Sequence, residues 1–476
     1  MGQRMLQSST VAVTKSEPGR RSSGLGWLGR WMRDGLLRRV FKNAGVLLSG
    51  KAVGALFGLG ALALTARGLG PEMFGVLMLI NEYARAIGEI AKFQSWQAVI
   101  RYGAVCLEND RRDDFHDLVT FTVLLDVGSA VVGAAAAAAA VTVVGPWFGL
   151  PDEVLTQAAI YGAVNLFMIS ATPSGLLRLF DRFDLLAAQS SVTPVVRLLG
   201  AVAAFSLDAE FWVYLLVWAS GTAASGLSFV FLAWRELRRR DLLRGYKFRI
   251  RGIAKPHKGI WSFVWSTNLY GSLGTVVGRL TTLIIGAVLG PAGAGLYKIA
   301  AQFARGMIYP AGLLKRALYP ELSKLQGRGE TKSMRRVVVR SAVLAGSITS
   351  LGIPIVIFFG EWILQVTVGD QYLGAASVLV LLTVGIAVRA FGFPLDSTLF
   401  ALGRPGVALK VRAAVTLIYF PALIMLLQRH GLVGAGFVEI IAAILTVTTL
   451  VFITLRRLAK DITRQKLAKK VAGPAA

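Results

Sequence analysis

Long apolar runs separated by short polar segments fill most of the chain. A helix needs about 20 mostly apolar residues to cross a bilayer, and these runs reach that length. Such a segment must satisfy its backbone hydrogen bonds internally, as a helix does. The pattern therefore predicts an all-α integral membrane protein with about twelve transmembrane helices. The predicted helices are residues 42–66, 74–103, 118–144, 153–177, 185–207, 211–234, 259–289, 295–320, 337–359, 373–400, 413–428 and 432–455.

The composition is that of a membrane protein, and the distribution of charge predicts its orientation. Hydrophobic residues make up 55% and charged residues 16% of the 476 residues, and the mean hydropathy is +0.60. The net charge of +26 is concentrated in both ends and in alternate loops, as the positive-inside rule describes for cytoplasmic segments. We therefore predict cytoplasmic termini in an inner-membrane protein. We expect the basic segments to meet membrane lipids and not nucleic acid.

The basic segments divide the chain into five parts. The largest basic loop separates two sets of six predicted helices, and a segment beginning at residue 26 interleaves Trp and Leu with Arg, which is typical of a helix on an anionic membrane surface. The turns on the other side are short, and residues 361–371 are predicted to form one of them. The five parts are a basic cytoplasmic tail with an interfacial helix (1–41), an N-terminal six-helix bundle (42–234), a basic cytoplasmic loop (235–258), a C-terminal six-helix bundle (259–456) and a basic cytoplasmic tail (457–476).

The second predicted helix carries four charged residues inside an apolar run. Glu82, Arg85, Glu89 and Lys92 are three, four and three positions apart, so a helix places them on one face. Charged groups are costly in hydrocarbon, so this face should line a wet cavity or the interior of the bundle. One interpretation is a transport pathway, and the other is a ladder of ion pairs that only holds helices together.

A short motif occurs twice, at matching places in the two sets of helices. Leu69-Gly70-Pro71, with a glycine at position 75, returns 220 residues later as Leu289-Gly290-Pro291, with a glycine at position 295. Each copy lies between the first and second helix of its set. Because each set has an even number of helices, the two copies have the same orientation. The motif therefore predicts two six-helix bundles related by a parallel pseudo-twofold repeat, with a cavity between them.

Both copies of the motif also carry a resemblance to a known family. Residues 65–75 resemble the opening of bacterial polysaccharide and O-antigen flippases, and residues 284–297 are similar to the signature of their second half. These flippases belong to the multidrug/oligosaccharidyl-lipid/polysaccharide exporter superfamily, and the resemblance in layout covers residues 42–456. It implies alternating access, a lipid-linked oligosaccharide carried on a diphosphate, and other polysaccharide-assembly proteins as partners. The long basic N-terminal segment is not part of that pattern.

Polar side chains inside the other apolar runs fit such a cargo. Arginine binds phosphate oxygens through charge-assisted hydrogen bonds, and amide groups exchange hydrogen bonds with sugar hydroxyls. Carboxylates in the membrane could couple transport to a proton or sodium ion. Alternatively, Arg389 pairs with Asp396, and Lys298 reaches the membrane interface. The predicted substrate-binding residues are Arg85, Arg197, Arg279, Arg305, Arg389, Asn268 and Gln302, and the predicted ion-coupling residues are Glu82, Glu89, Asp396 and Glu439.

The motifs indicate a transporter and not an enzyme. A membrane glycan polymerase or ligase is the alternative from another class, but it should carry a large outer loop with catalytic Arg or His, and the predicted outer turns are short. A multidrug or peptidoglycan-precursor exporter of the same fold is the other alternative. We expect no cofactor and no metal site, since the chain has a single cysteine, Cys106, and no phosphate-binding glycine motif.

Overall fold

The structure is a computed structural model that describes residues 35–246, 248–307, 318, 321–328 and 330–471. Side chains are described within these ranges except for residues 35–52, 266–275, 405 and 460–471. Most of the predicted interfacial helix therefore lies outside the described residues. The bounded α-helices are α1 (Gly35–Ala91), α2 (Trp96–Glu108), α3 (Arg112–Val144), α4 (Leu155–Tyr161), α5 (Ala171–Leu179), α6 (Phe183–Gln189), α7 (Val192–Ser206), α8 (Phe211–Arg239), α9 (Ile260–Gly306), α10 (Thr331–Ser350), α11 (Gly352–Thr367), α12 (Ala376–Ala401), α13 (Pro405–His430) and α14 (Val433–Val471).

The predicted all-α membrane fold is confirmed. Ten helical runs within the described ranges are long and apolar enough to cross a membrane. Two of them, in α1 and α9, are each bent at a glycine with non-helical dihedral angles: Gly70 (φ 68°, ψ 171°) and Gly290 (φ 77°, ψ 178°). Dividing the runs at these bends gives twelve segments, which correspond to the predicted helices.

Glycine followed by proline explains each bend. A positive φ is strained for residues with a side chain but accessible to glycine. The proline that follows, Pro71 or Pro291, occupies the first position of the next helical limb, where its missing N–H leaves no hydrogen bond unmade. We call the side of the molecule that carries Gly70 and Gly290 the Gly-Pro end, and the opposite side, with the loop 235–258, the basic end.

Several spanning segments are interrupted inside the N-terminal half. The second predicted helix breaks between α1, which ends at Ala91, and α2, which begins at Trp96. The fourth consists of α4, a 3-10 helix (Gly162–Phe167) and, after a break, α5. The break before α5 places Pro173 in the first turn of that helix, where proline is tolerated.

Helices in the C-terminal half extend beyond their predicted ends. Residues 361–371 were predicted to form a loop, but α11 continues to Thr367. Its face includes the fully buried Leu364, so packing extends the helix past the polar Glu361, and Gly369 (φ 99°) then turns the chain. At the other end, α14 continues as one helix to Val471, beyond the predicted boundary at residue 456.

The two halves meet at the Gly-Pro end through the two copies of the repeated motif. A Cβ added to Gly75 would overlap the carbonyl oxygen of Pro291, and one added to Gly295 would lie 2.7 Å from the carbonyl oxygen of Pro71. The contact is therefore reciprocal, and each half supplies the same motif. A glycine at both positions lets the two backbones approach closely. This local relation agrees with a pseudo-twofold repeat, which remains a prediction for the bundles as a whole.

Polar contacts between the halves surround this glycine contact. Arg67 of the N-terminal half donates from Nη2 to the carbonyl oxygens of Gln365 (3.4 Å) and Val366, in the last turn of α11. Tyr372 donates from its hydroxyl to the carbonyl oxygen of Ala66, at 2.9 Å. These bonds close the Gly-Pro end in this structure.

Candidate functional site

A cluster of charged side chains joins the two halves further from the Gly-Pro end than the glycine contact. Glu82 lies on the second limb of α1, seven residues after Gly75, which is about 10 Å along the helix. Its side chain is buried and accepts from Arg279 Nη1 at 2.8 Å and from Lys298 Nζ. Both cations belong to α9, so one carboxylate of the N-terminal half bridges both limbs of the bent helix of the other half.

Further cations lie around this bridge. Arg85, one turn after Glu82, is within electrostatic range of it, and Arg305 is within electrostatic range of Lys298. Arg305 is exposed, although the helix that carries it is apolar. The Nε atoms of Arg85 and Arg279 are buried and have no hydrogen-bond partner among the described residues. These two buried N–H donors therefore lack an acceptor in this conformation, and a rearrangement would have to bring one to them.

The cluster extends beyond α9, further into the C-terminal half, through a second ion pair. Arg389 of α12 binds Glu439 of α14 at 2.9 Å. Arg305, Arg389 and Glu439 are all within electrostatic range of Tyr297. The connected charged groups are the cations Arg85, Arg197, Arg279, Lys298, Arg305 and Arg389 and the carboxylates Glu82 and Glu439, which gives a formal net charge of +4.

Arg197 of α7 joins the cluster from the N-terminal half, because it is within electrostatic range of Arg85 and Glu82. Arg197 is 9% exposed and lies between α7 and α8, where Nη2 donates to the carbonyl oxygen of Trp218 (3.1 Å) and to Thr222 Oγ1 (3.2 Å). Its guanidinium carbon lies 4.0 Å from the centre of the Trp218 ring, so a cation–π contact also holds it inside the N-terminal half. Gln302 is half-buried on α9, one turn from Lys298 and Arg305. The side chain of Asn268 lies outside the described residues.

The other predicted ion-coupling carboxylates are Asp396 and Glu89. Asp396 is bound by Arg412 of α13 and not by Arg389, so the pair that the sequence offered as an alternative does not form. Glu89 is half-buried on α1. Of the four charged residues of the second predicted helix, Glu82 pairs with α9 across the interface, which agrees with the interpretation of ion pairs that hold helices together. The transport pathway along this face stays a prediction.

For Lys298, the sequence allowed two placements of the side chain, in the cavity or at the membrane interface. The structure joins it to Glu82 at the contact between the halves. Its spacing of three residues from the repeated Gly295 was the available signal, because the matching Gly75 precedes Glu82 on the partner limb.

At the basic end, the loop between the halves is attached to α3. The ring Nε2 of His257 is hydrogen-bonded to the carbonyl oxygen of Asp114 at 3.0 Å. The ring is 4% exposed, and burial lowers the pKa of His257 below its usual value of 6.5. The imidazole therefore stays neutral near pH 7 and donates this bond.

Comparison with known proteins places this geometry in a family. Residues 40–326 match the model of a family described as "Polysaccharide biosynthesis protein". The chain is 37% identical to the inner membrane protein YghQ of Escherichia coli (strain K12) over 73% of its own length and 98% of that protein. It is 22% identical to a putative O-antigen transporter of Shigella flexneri over 83% of its length and 93% of that protein.

Solved structures show the same fold. An inward-facing multidrug resistance MATE transporter of the MOP superfamily aligns with a TM-score of 0.70, at 15% identity, over 88% of this chain and 99% of the other. The lipid II flippase MurJ, in an inward closed conformation, aligns with a TM-score of 0.62, at 15% identity, over 87% and 90%. Since its matched region covers more than half of the sequence, the chain belongs to the polysaccharide biosynthesis protein family and has the fold of MOP superfamily transporters.

Proposed function

We propose that this multi-pass membrane protein is a flippase, not an enzyme, that moves a lipid-diphosphate-linked oligosaccharide across the inner membrane for polysaccharide biosynthesis. The observation that carries the proposal is the charged cluster, which spans both halves with a formal net charge of +4. A relative named as a putative O-antigen transporter and a solved structure of a lipid II flippase with the same fold support this proposal.

The chemistry of the cluster suits a diphosphate. Excess positive charge inside a membrane protein is costly unless a counter-charge reaches it. A diphosphate brings negative charge and several acceptor oxygens, and guanidinium groups bind such oxygens in pairs. We assign this contact to Arg85, Arg279 and Arg305, and the sugar hydroxyls to Gln302 and Asn268. Arg389 would join when cargo reaches the C-terminal half.

The two halves provide a simple route for alternating access. We propose that the basic end and both termini face the cytoplasm, because the linker and the last turn of α8 are rich in arginine. The Gly-Pro end then faces outward and is the closed side. Cargo would enter from the cytoplasmic side and leave when the Gly70 and Gly290 bends separate.

Binding of cargo would also change the carboxylates. An anion that binds Arg279 and Lys298 competes with Glu82 for them, and the same holds for Glu439 beside Arg389. A carboxylate released from its cation can take up a proton or sodium ion, which would couple cargo movement to an ion gradient. Glu89 and Asp396 remain predicted ion-coupling residues.

The test uses a strain that lacks the gene and accumulates lipid-linked glycan on the cytoplasmic leaflet. The wild-type chain should clear the accumulation, and Arg279→Ala and Arg305→Ala should fail to do so at equal protein levels. Arg340→Ala removes an exposed arginine from α10 of the same half and should behave as wild type. Full clearance by both cluster variants, or no accumulation in the deletion strain, would refute the proposal.

A further inference from the structure

A second buried polar site lies within the N-terminal half, where two interrupted segments meet α3. The break between α1 and α2 and the break before α5 both face Asp126, which is 3% exposed. Ser95, the residue before α2, donates from Oγ to Asp126 Oδ1 at 2.6 Å. The N–H of Thr172, in the first turn of α5, donates to Asp126 Oδ2 at 2.7 Å. One carboxylate thus connects the starts of two helices.

Asp126 differs from the other buried carboxylates in the kind of partner that it has. Glu82, Glu236 and Asp396 are each bound by an Arg or Lys side chain. Throughout the described ranges, no basic nitrogen lies within 4.0 Å of the Asp126 carboxylate, and its hydrogen bonds come from a hydroxyl and a backbone amide. A carboxylate held by neutral donors can change protonation state without leaving a bound cation uncompensated.

A small cavity adjoins this carboxylate. Its lining includes Asp126, Ser129, Asn165, Gly88 and Lys92, and its volume of about 10 Å³ is enough for about one water-sized molecule. Asn165 is 1% exposed and uses its amide N–H groups on the carbonyl oxygens of Ala84 and Gly133, while its Oδ1 has no partner among the described residues. The cavity therefore holds a buried acceptor that requires a donor.

The local hydroxyls allow both protonation states of the carboxylate. Ser95 Oγ also lies 3.2 Å from Thr172 Oγ1, and each hydroxyl can donate or accept. When Asp126 is ionised, Ser95 donates to it. When Asp126 is protonated, its O–H can donate to Ser95, which then donates to Thr172, or it can reach Asn165 Oδ1 through one water in the cavity.

The surrounding groups favour a proton over a metal ion. Lys92, in the break between α1 and α2, is a charged side chain within electrostatic range of Asp126, and its Nζ donates to Ser170 Oγ at 2.7 Å. From the other elements around Asp126, the starts of α2 and α5 contribute hydroxyl and backbone groups, and the 3-10 helix Gly162–Phe167 contributes Asn165. A metal ion would need about six oxygen ligands, but this cavity presents few oxygens and an ammonium group.

We propose that Asp126 is a proton-binding site that controls the junctions at 92–95 and 168–170. Protonation removes the negative charge of Asp126, which weakens its hydrogen bond with the Thr172 N–H. It also turns Ser95 from a donor to Asp126 into an acceptor, so both junctions loosen. The proton comes from water and returns to water, with no change in covalent bonding elsewhere. That this step drives cargo movement rests on the proposed function, but proton binding itself does not.

Hydrogen–deuterium exchange of the full chain in lipid nanodiscs, without cargo, tests the site. After correction for intrinsic rates, wild-type peptides that cover residues 92–96 and 168–174 should exchange several-fold faster at about pH 5.5 than at about pH 8. Asp126→Asn should exchange fast at both values, and Asp126→Glu, which keeps a titratable group, should retain a pH response. Asp113→Asn, at an exposed position of the same helix, should match wild type.

The possible outcomes distinguish a proton site from a metal site and from a carboxylate that never titrates. A pH-independent wild type, or a pH response that survives in Asp126→Asn, would overturn the proposal. Replacing choline chloride by sodium chloride at constant pH should change nothing, and protection by sodium would overturn it in favour of a metal site. Because no cargo is present, failure here leaves the flippase proposal standing, and failure of glycan clearance would leave the proton site standing.

Discussion

The contact between Gly75 and the carbonyl oxygen of Pro291 gives a sharp test of how the halves separate. In Gly75→Ala the added Cβ overlaps that oxygen when the Gly-Pro end is closed, and it meets no such obstacle once the halves part. Overpacking of this kind costs about 1–3 kcal/mol. The gain in helix propensity, about 1 kcal/mol, applies to both states and cancels. The closed-to-open ratio should therefore fall by about 5- to 150-fold.

Two glycines of α9, Gly295 and Gly278, complete a ranked series. Gly295→Ala places its Cβ 2.7 Å from the carbonyl oxygen of Pro71, a shallower overlap, so its effect should be in the same direction and smaller. Gly278→Ala adds a Cβ that meets nothing within 4 Å and should leave the ratio unchanged. The expected order of the shift is Gly75, then Gly295, then Gly278.

Electron–electron resonance distances between two spin labels would measure the ratio. Leu207→Cys and Glu361→Cys place labels at exposed positions on the two halves near the Gly-Pro end, in a Cys106→Ala background. The parent should show a short-distance population, and Gly75→Ala should add a longer one. If Gly75→Ala kept the parent distribution, or if Gly278→Ala shifted it equally, the glycine contact would not control closure.

Two further predictions concern charge. Glu82→Gln leaves two half-buried cations, Arg279 and Lys298, without their carboxylate. It should destabilise the protein by less than about 3 kcal/mol, the lower value for a fully buried pair, seen as a lower melting temperature; adding Arg279→Gln should recover part of the loss, and no recovery would contradict the ion-pair account. The pKa of His257 is lowered on folding, so the unfolded chain binds a proton first as the pH falls. Stability should be full above about pH 6.5 and decline below it; His257→Gln, which can still donate to the Asp114 carbonyl oxygen, should flatten that decline, and an unchanged pH profile would argue against it.

The sequence predicted the fold because bilayer thickness and backbone hydrogen bonding leave few alternatives to long apolar helices. The bends at Gly70 and Gly290 were predicted as boundaries because Gly-Pro is a strong local signal. The extension of α11 was missed because Glu361 looked like the start of a polar turn, while the packing of Leu364 that continues the helix is a tertiary effect.

The site was predictable as a set of residue types and not as a set of contacts. Spacing showed that Glu82 lies on a charged face, but only the fold shows that its partners are in α9. Asp126 was not among the predicted site residues, although a single carboxylate in an apolar run is itself a signal of a functional site. Its meaning depends on two helix starts that are far from it in sequence, and no local pattern brings them together.

The side chain of Arg67 has a consequence for the order of the final turn of α11. A helix ends with carbonyl oxygens that have no partner in their own helix, and here a cation from the opposite half binds two of them. If the halves move apart, that turn loses its cap and its carbonyls must turn to water. Opening should thus fray the end of α11, so the exit would be bordered by a segment that orders and melts once in every transport cycle.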